Sequence, residues 1–315
     1  PDRALDKAWR QVIFVQHHDS IAGTSADTPD LDLLAGLREA ADLASEVTAR
    51  SVAFIAERVD TQPSPSLAGS VPITVFNPLA WDRQDVACVE LPAPAGEACW
   101  ALFDSAGRGV ACQSEAVGDG RVRVEFLAKA PSLGYSTYFA KAVAAAREEQ
   151  QAQVDTIENE FYRVKASARR GGGLVSILSK SLGRELIPPA AAVPGNTLVA
   201  MEEDQTRGWA AWEFAANGKK MFSSSQPAQV SVERGPLTSK LIVKGSLGSL
   251  CSVRQEVVLH SGVDRIEFST CLENMRVPTG TDYIVFVAFP NGIPGGAPAF
   301  EVPFGVVGRR KGSGL

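Results

Sequence analysis

The apolar positions of the chain keep two rhythms, one helical and one alternating. Leu5, Trp9, Val12 and Ile13 recur at helical spacing with Asp6, Lys7 and Arg10 between them, which predicts an amphipathic helix leading into the segment Val15-Gln16-His17-His18-Asp19-Ser20-Ile21-Ala22-Gly23-Thr24. Leu31, Leu34, Leu37, Ala41, Ala44, Val47, Ser51 and Phe54 then step by three and four. They predict a long helix reaching about Arg58, with Thr28 as its cap and Pro29 in its first turn. Asp32, Arg38, Glu39, Asp42, Glu46 and Glu57 fall on the other face, which reads as a solvated surface. Two helices cannot bury both stripes against each other, so the pattern predicts the end of a three-helix bundle that needs a further partner.

Residues 61–70, Thr-Gln-Pro-Ser-Pro-Ser-Leu-Ala-Gly-Ser, form a Pro/Ser/Gly-rich joint. Beyond it the rhythm shortens to β-rich runs: Pro72–Phe76, Val86–Leu91, Arg121–Phe126, Thr137–Lys141, Phe161–Ala166, Leu174–Ile177, Gln229–Val232, Ser239–Val243, Ser252–Leu259, Arg265–Leu272 and Asp282–Phe289. Val253, Gln255, Val257 and Leu259 alternate with polar residues, as do Ile266, Phe268 and Thr270, which marks half-buried antiparallel strands. The expected fold class is multidomain α+β: a helical-bundle segment over residues 1–60, a linker at 61–70, a large antiparallel β-sandwich region over 71–308, and a tail at 309–315.

Composition changes this picture little. The chain has 315 residues, 45% hydrophobic and 21% charged, with a net charge of −5, and reads as an ordinary globular protein of two or three structural units. An acidic balance without Lys/Arg clusters argues against nucleic acid and anionic membrane as partners, and Arg309-Arg310-Lys311 is too short to reverse that. No run is apolar enough to span a membrane, and no signal peptide is recognised. Cys88, Cys99, Cys112, Cys251 and Cys271 show no CxxC pair and read as small buried strand residues. The chain holds no Asn-x-Ser/Thr acceptor, which favours a cytoplasmic location over a lysosomal or secretory one; homo-oligomerisation is left open.

The candidate chemistry sits at His17, His18 and Asp19, two of the three histidines of the chain beside a carboxylate, closed by a Gly-Thr that permits a sharp turn. Imidazole and carboxylate are ligands suited to zinc or a similar divalent ion. Neighbouring side chains diverge by about 100° on a helix and about 180° on a strand, so His17 and His18 are not expected to face one ion together. Taken alone, such a run on a loop is more often a hydrogen-bonded surface turn than a ligand set.

Other residues carry weaker signals. His260, ahead of Gly262, reads as a turn or strand-end residue, and Glu158 and Glu160 as solvated charges beside a turn. Glu202-Glu203-Asp204 has the look of a hydrated acidic run, and Trp209, Trp212 and Phe214 are core or sugar-stacking candidates.

Gln16-His17-His18-Asp19, followed by Ile21 and Gly23-Thr24, resembles a signature of glycoside hydrolase family 38, the α-mannosidases, departing from it at Ser20 where the family usually has Ala. Further landmarks follow in the family's order: Val75-Phe76-Asn77-Pro78-Leu79-Ala80-Trp81, whose aromatic is expected to pack on the sheet; Glu158-Asn159-Glu160-Phe161-Tyr162-Arg163-Val164 with Gly171-Gly172-Gly173; His260-Ser261-Gly262-Val263-Asp264-Arg265; and Glu301-Val302-Pro303-Phe304-Gly305. The resemblance implies a zinc-dependent retaining glycosidase acting on terminal α-mannosides of glycans. It implies that His18 is a zinc ligand and Asp19 a substrate-binding carboxylate, and His17 is assigned to the supporting shell. Full members carry an N-terminal barrel that supplies the remaining ligands, the nucleophile and the acid/base, so no catalytic residue is assigned within this chain. The rivals are a non-catalytic carbohydrate-binding or scaffolding β-sandwich whose His-Asp turn is structural, and an unrelated metallohydrolase.

Overall fold

The computed structural model describes residues 1–96, 98–144, 155–206, 214–293, 296–302 and 305–308. They divide into one unit of residues 1–82, 103–108 and 130–141, and a second of residues 83–102, 109–129 and 142 onward. Among the described residues no helix is long and apolar enough to cross a membrane.

The first unit opens with α1 (Asp2–Val15), the short α2 (His18–Ile21) and the long α3 (Asp27–Ala56). Lys7 pairs with Glu39 while Gln11 lies against Gly36, so residue numbers rise on one helix as they fall on the other and the two long helices are antiparallel. Small residues make their seam: Ala8 on α1, Gly36 and Ala40 on α3 are buried. A Cβ at Gly36 would stand 2.8 Å from Gln11 Oε1, so glycine is what lets this amide lie on α3. Gln11 Nε2 then donates to Glu39 Oε2 at 2.9 Å.

Three expectations are corrected here. Glu39 faces α1 and is not part of a free outer surface. The seam of α3 runs through Leu33, Gly36, Leu37, Ala40, Leu43 and Val47, whereas Leu31, Leu34, Ala41, Ala44 and Phe54 are exposed. Only its buried centre, Gly36 and Ala40, is small, and Leu31, Leu34 and Phe54 of the expected stripe project away from it. With Trp9, Ile13 and Phe14 of α1 also exposed, the two helices leave apolar surface uncovered, as their pattern required. The first turn of α3 begins earlier than expected, after Ala26, which offers no side-chain cap; Asp27 and Asp30 place negative charge at the helix start instead.

Within residues 61–70 the chain makes one 3₁₀ turn, Pro65–Leu67, with Leu67 buried. Val71–Asn77 then pairs antiparallel with Gly134–Ala144, Asn77 lying opposite Gly134. Asn77 is buried and fully used: its Nδ2 donates to the carbonyls of Trp81 and Pro131 at 2.7 and 2.9 Å, and its Oδ1 accepts Leu79 N–H at 3.2 Å. This side chain locks two turns at once. Trp81, expected against the sheet, is 61% exposed, because the turn is held through its carbonyl and not through its ring.

The second unit is built on a four-stranded antiparallel meander, Gln229–Arg234, Thr238–Leu247, Cys251–His260 and Ile266–Glu273. Cys251, Val253, Gln255, Val257 and Leu259 are buried on one face, the alternation read from the sequence. A second meander, Thr156–Glu158, Tyr162–Ala166, Leu174–Ser179 and Arg184–Glu185, packs on that face. Ile157, Val164, Leu174 and Ile177 meet Leu241, Val243, Val257 and Leu259 in one buried cluster, which makes the β-sandwich. A three-stranded sheet of Ala216–Phe222, Thr197–Glu203 and Tyr283–Ala288 contributes Leu198 and Ala200 to a second cluster with Leu247, Leu250 and Val253. Gln255, buried in the layer, is satisfied by Asn196 O at 3.0 Å and Thr270 Oγ1 at 3.3 Å. All five cysteines lie on strands and are free, but only Cys251 is buried; Cys88 and Cys271 are exposed.

Gly171 and Gly172 have φ of +64° and +73°, and a Cβ on Gly172 would stand 2.1 Å from Val243 Cγ1 in the sandwich core. The preceding corner is tied by charge. Arg163 donates twice to Glu158, at 2.7 and 3.0 Å, and Lys180 Nζ lies 2.7 Å from the same carboxylate. These partners pull Glu158 from an ordinary value of 4.5 down to about 2. Glu160 accepts from Ser261 Oγ at 2.7 Å and Gly262 N at 3.1 Å. Asn159 Oδ1 caps the Phe161 and Tyr162 amides while its Nδ2 donates to His260 O at 2.9 Å. The pair expected to be merely solvated is thus a tie between two hairpins.

Both features can be tested by unfolding. Gly172→Ala should lower the unfolding free energy by about 2–4 kcal/mol in urea titrations, from overpacking against Val243 plus the left-handed backbone. A carboxylate whose folded pKa lies below its unfolded one stabilises the fold above the unfolded value and loses that contribution as pH falls. The melting temperature should therefore drop as pH is lowered from about 4.5 towards 2, and Glu158→Gln should flatten that drop.

Candidate metal and sugar site

The histidine segment occupies the connection between α1 and α3. Val15, buried, closes α1; Gln16 ends it; His17 is extended at φ −55° and ψ 137°; and His18 begins α2. Gly23, at φ +70°, ends α2 in the left-handed conformation. Gly23 N–H reaches Ser20 O at 3.1 Å and Thr24 N–H reaches Asp19 O at 2.9 Å, the paired bonds of a Schellman stop. Thr24 Oγ1 adds a third bond, to the carbonyl of Asp19, at 3.1 Å. The Gly-Thr of the sequence therefore fixes the backbone of Asp19.

The backbone changes direction between His17 and His18, so neither the helical nor the strand divergence applies. Their rings lie 4.3 Å apart, centroid to centroid, tilted by 37°. His18 Nε2 is 3.5 Å from Asp19 Oδ2. One donor atom from each of His17, His18 and Asp19 falls within 4.8 Å of the others, and among the described residues this is the one cluster of three such side chains. The expectation that the two imidazoles point apart is corrected.

All three side chains are open, His18 at 84% and Asp19 at 54% exposure. Two imidazoles and a carboxylate are a borderline donor set suited to zinc, yet a tetrahedral ion wants four ligands, so the cluster fits a metal as part of a set. His17 and Ser20, with Phe14 and Leu33, also line a cleft of about 1000 Å³ along the helical pair. Ser20, which stands where the resembled signature has Ala, is one of the residues lining it.

The remaining sequence candidates fall elsewhere. His260 ends its strand, buried, with Nδ1 2.9 Å from Thr238 Oγ1. Glu202 is not simply hydrated: it takes Lys219 at 2.7 Å, Asn217 at 2.7 Å and the Tyr283 hydroxyl at 3.1 Å, while Glu203 is buried. Asp204 accepts from Thr206. Phe214 is half-buried; Trp209, Trp212, Pro303, Phe304 and the tail 309–315 lie outside the described residues.

No curated protein matches the chain. Residues 157–313 match the family model of the glycosyl hydrolases family 38 C-terminal domain. The match begins at Ile157 in the sandwich core and takes in the Glu158–Val164 corner, the Gly171–Gly173 triplet and the His260–Arg265 turn. Residues 157–313 are a glycosyl hydrolases family 38 C-terminal domain, so the chain carries the C-terminal portion of a member of that glycoside hydrolase family.

Proposed function

We propose that the chain is part of a zinc-dependent retaining α-mannosidase that hydrolyses terminal α-mannosides of glycans or mannose-containing oligosaccharides. The observation that carries this reading is the convergence of His17, His18 and Asp19 on one exposed point of a family 38 chain.

His18 would hold the metal, with His17 stacked beside it to restrict the swing of its ring. Zinc, when bound, would supply a Lewis-acidic anchor for neighbouring sugar hydroxyls. Asp19 would accept hydrogen bonds from two hydroxyls of the sugar, and the bonds from Thr24 hold the backbone from which it reaches. Such a two-point grip discriminates between axial and equatorial hydroxyls.

Retaining hydrolysis needs two carboxyl groups about 5–5.5 Å apart across the scissile bond. The cluster offers one, and it is engaged in binding. The nucleophile, the acid/base and the missing ligands would therefore come from protein outside this chain, and the 315 residues alone are expected to be inactive.

In the whole protein, His18→Ala should remove zinc, read by plasma mass spectrometry, and lower kcat/KM on a chromogenic α-mannoside by more than about 100-fold. Asp19→Asn should keep the zinc and still lose about 100-fold or more. Full activity in His18→Ala would overturn the assignment. A parent protein that bound no zinc and cleaved nothing would overturn the enzyme itself.

A further inference from the structure

The β-rich unit carries a second concavity, of about 420 Å³, that takes no part in the proposed hydrolysis; Trp100, Gln113, Glu115, Glu233, Arg234 and Lys240 are among its walls. We propose that it is a binding subsite for a neutral oligosaccharide, built from this unit alone.

Part of its lining is held in advance. Trp100 Nε1–H donates to Pro92 O at 2.9 Å, which fixes the plane of the indole. Gln113 Nε2 donates to Glu125 Oε2 at 3.0 Å, and its Oε1 accepts Thr238 N–H at 3.1 Å. Gly235 makes room for that amide, since a Cβ there would stand 2.4 Å from Gln113 Oε1. Arg234 is anchored by a 2.6 Å bond to Thr156 O. Such a lining loses little freedom when a ligand enters.

The rest of the lining, by contrast, keeps charge in reserve. Glu115, Glu233 and Lys240 join no ion pair among the described residues. Two carboxylates and two cations, Glu115 and Glu233 with Arg234 and Lys240, cancel in sign, which disfavours a phosphate or polyanion and leaves acceptors and donors for an uncharged polyol. Carboxylates accept hydrogen bonds from hydroxyls, the cations donate hydrogen bonds to hydroxyl or ring oxygens, and an indole covers the C–H face of a pyranose. The volume lies within the range of small-ligand sites, about 300–1,000 Å³.

The test is calorimetric titration of the full chain with α-linked mannotriose and with maltotriose, each to about 10 mM, in EDTA so that no bound metal contributes. The expected result is binding of at least one trisaccharide with a dissociation constant of about 1 mM or tighter. Trp100→Ala should weaken it about tenfold or more, and His18→Ala should leave it unchanged. Should Trp100→Ala lose its far-ultraviolet dichroism, Glu233→Gln and Lys240→Met probe the same cavity from its other walls and are each expected to weaken binding. No heat from either sugar, affinity untouched by the cavity variants, or affinity lost in His18→Ala would overturn the proposal. None of these results bears on zinc content or mannosidase activity, so this subsite and the enzyme reading stand or fall separately.

Discussion

Ten consecutive cross-strand pairs, from Thr238 opposite His260 to Leu247 opposite Cys251, hold the two central strands of the β-rich unit without a bulge. Everything else in that unit is measured from this ladder. Because side chains alternate at every residue, a slip of Cys251–His260 by one position would turn Val257 and Leu259 out of one buried cluster and Val253 out of the other. Two sheets depend on one unbroken alternation. The close approach of Gly172 to Val243 adds a steric stop at the same layer, since a slipped strand would present a different residue to that glycine.

What the sequence made legible follows from what kind of force acts at each place. Long alternating runs such as Cys251–His260 announce themselves, because burial of one face demands them. Thr197–Glu203, Ala216–Phe222 and Cys112–Gly118 did not: the first is buried on nearly every residue, and the other two are polar and largely exposed, so none carries the period of two. The glycine triplet was visible as a landmark, but its reason, contact with Val243, Ser223 and Pro194, is a property of distant chain. The role of Glu158 and Glu160 was hidden for the same cause, since their partners Lys180 and Ser261 are remote in sequence.

The candidate site divides in the same way. His17, His18 and Asp19 were readable as chemistry, and Gly23-Thr24 as a turn. Their convergence was not, because it rests on a single change from extended to helical backbone between adjacent residues, which no periodicity describes. The concavity beside Trp100 gave no local signal at all: its residues come from three separated stretches of chain and none forms a motif.

The gap at Gly36 has a further consequence for the helical pair. With the Gln11 amide seated in it, the glycine acts as an index mark that allows one axial setting of α1 on α3. Moving to the next setting would mean a full turn, about 5.4 Å, and would separate Lys7 and Gln11 from Glu39. The eleven residues from Gln16 to Ala26 hang between these two calibrated rods. The depth at which the two imidazoles are presented is thus set by a side chain that is absent from the interior of α3.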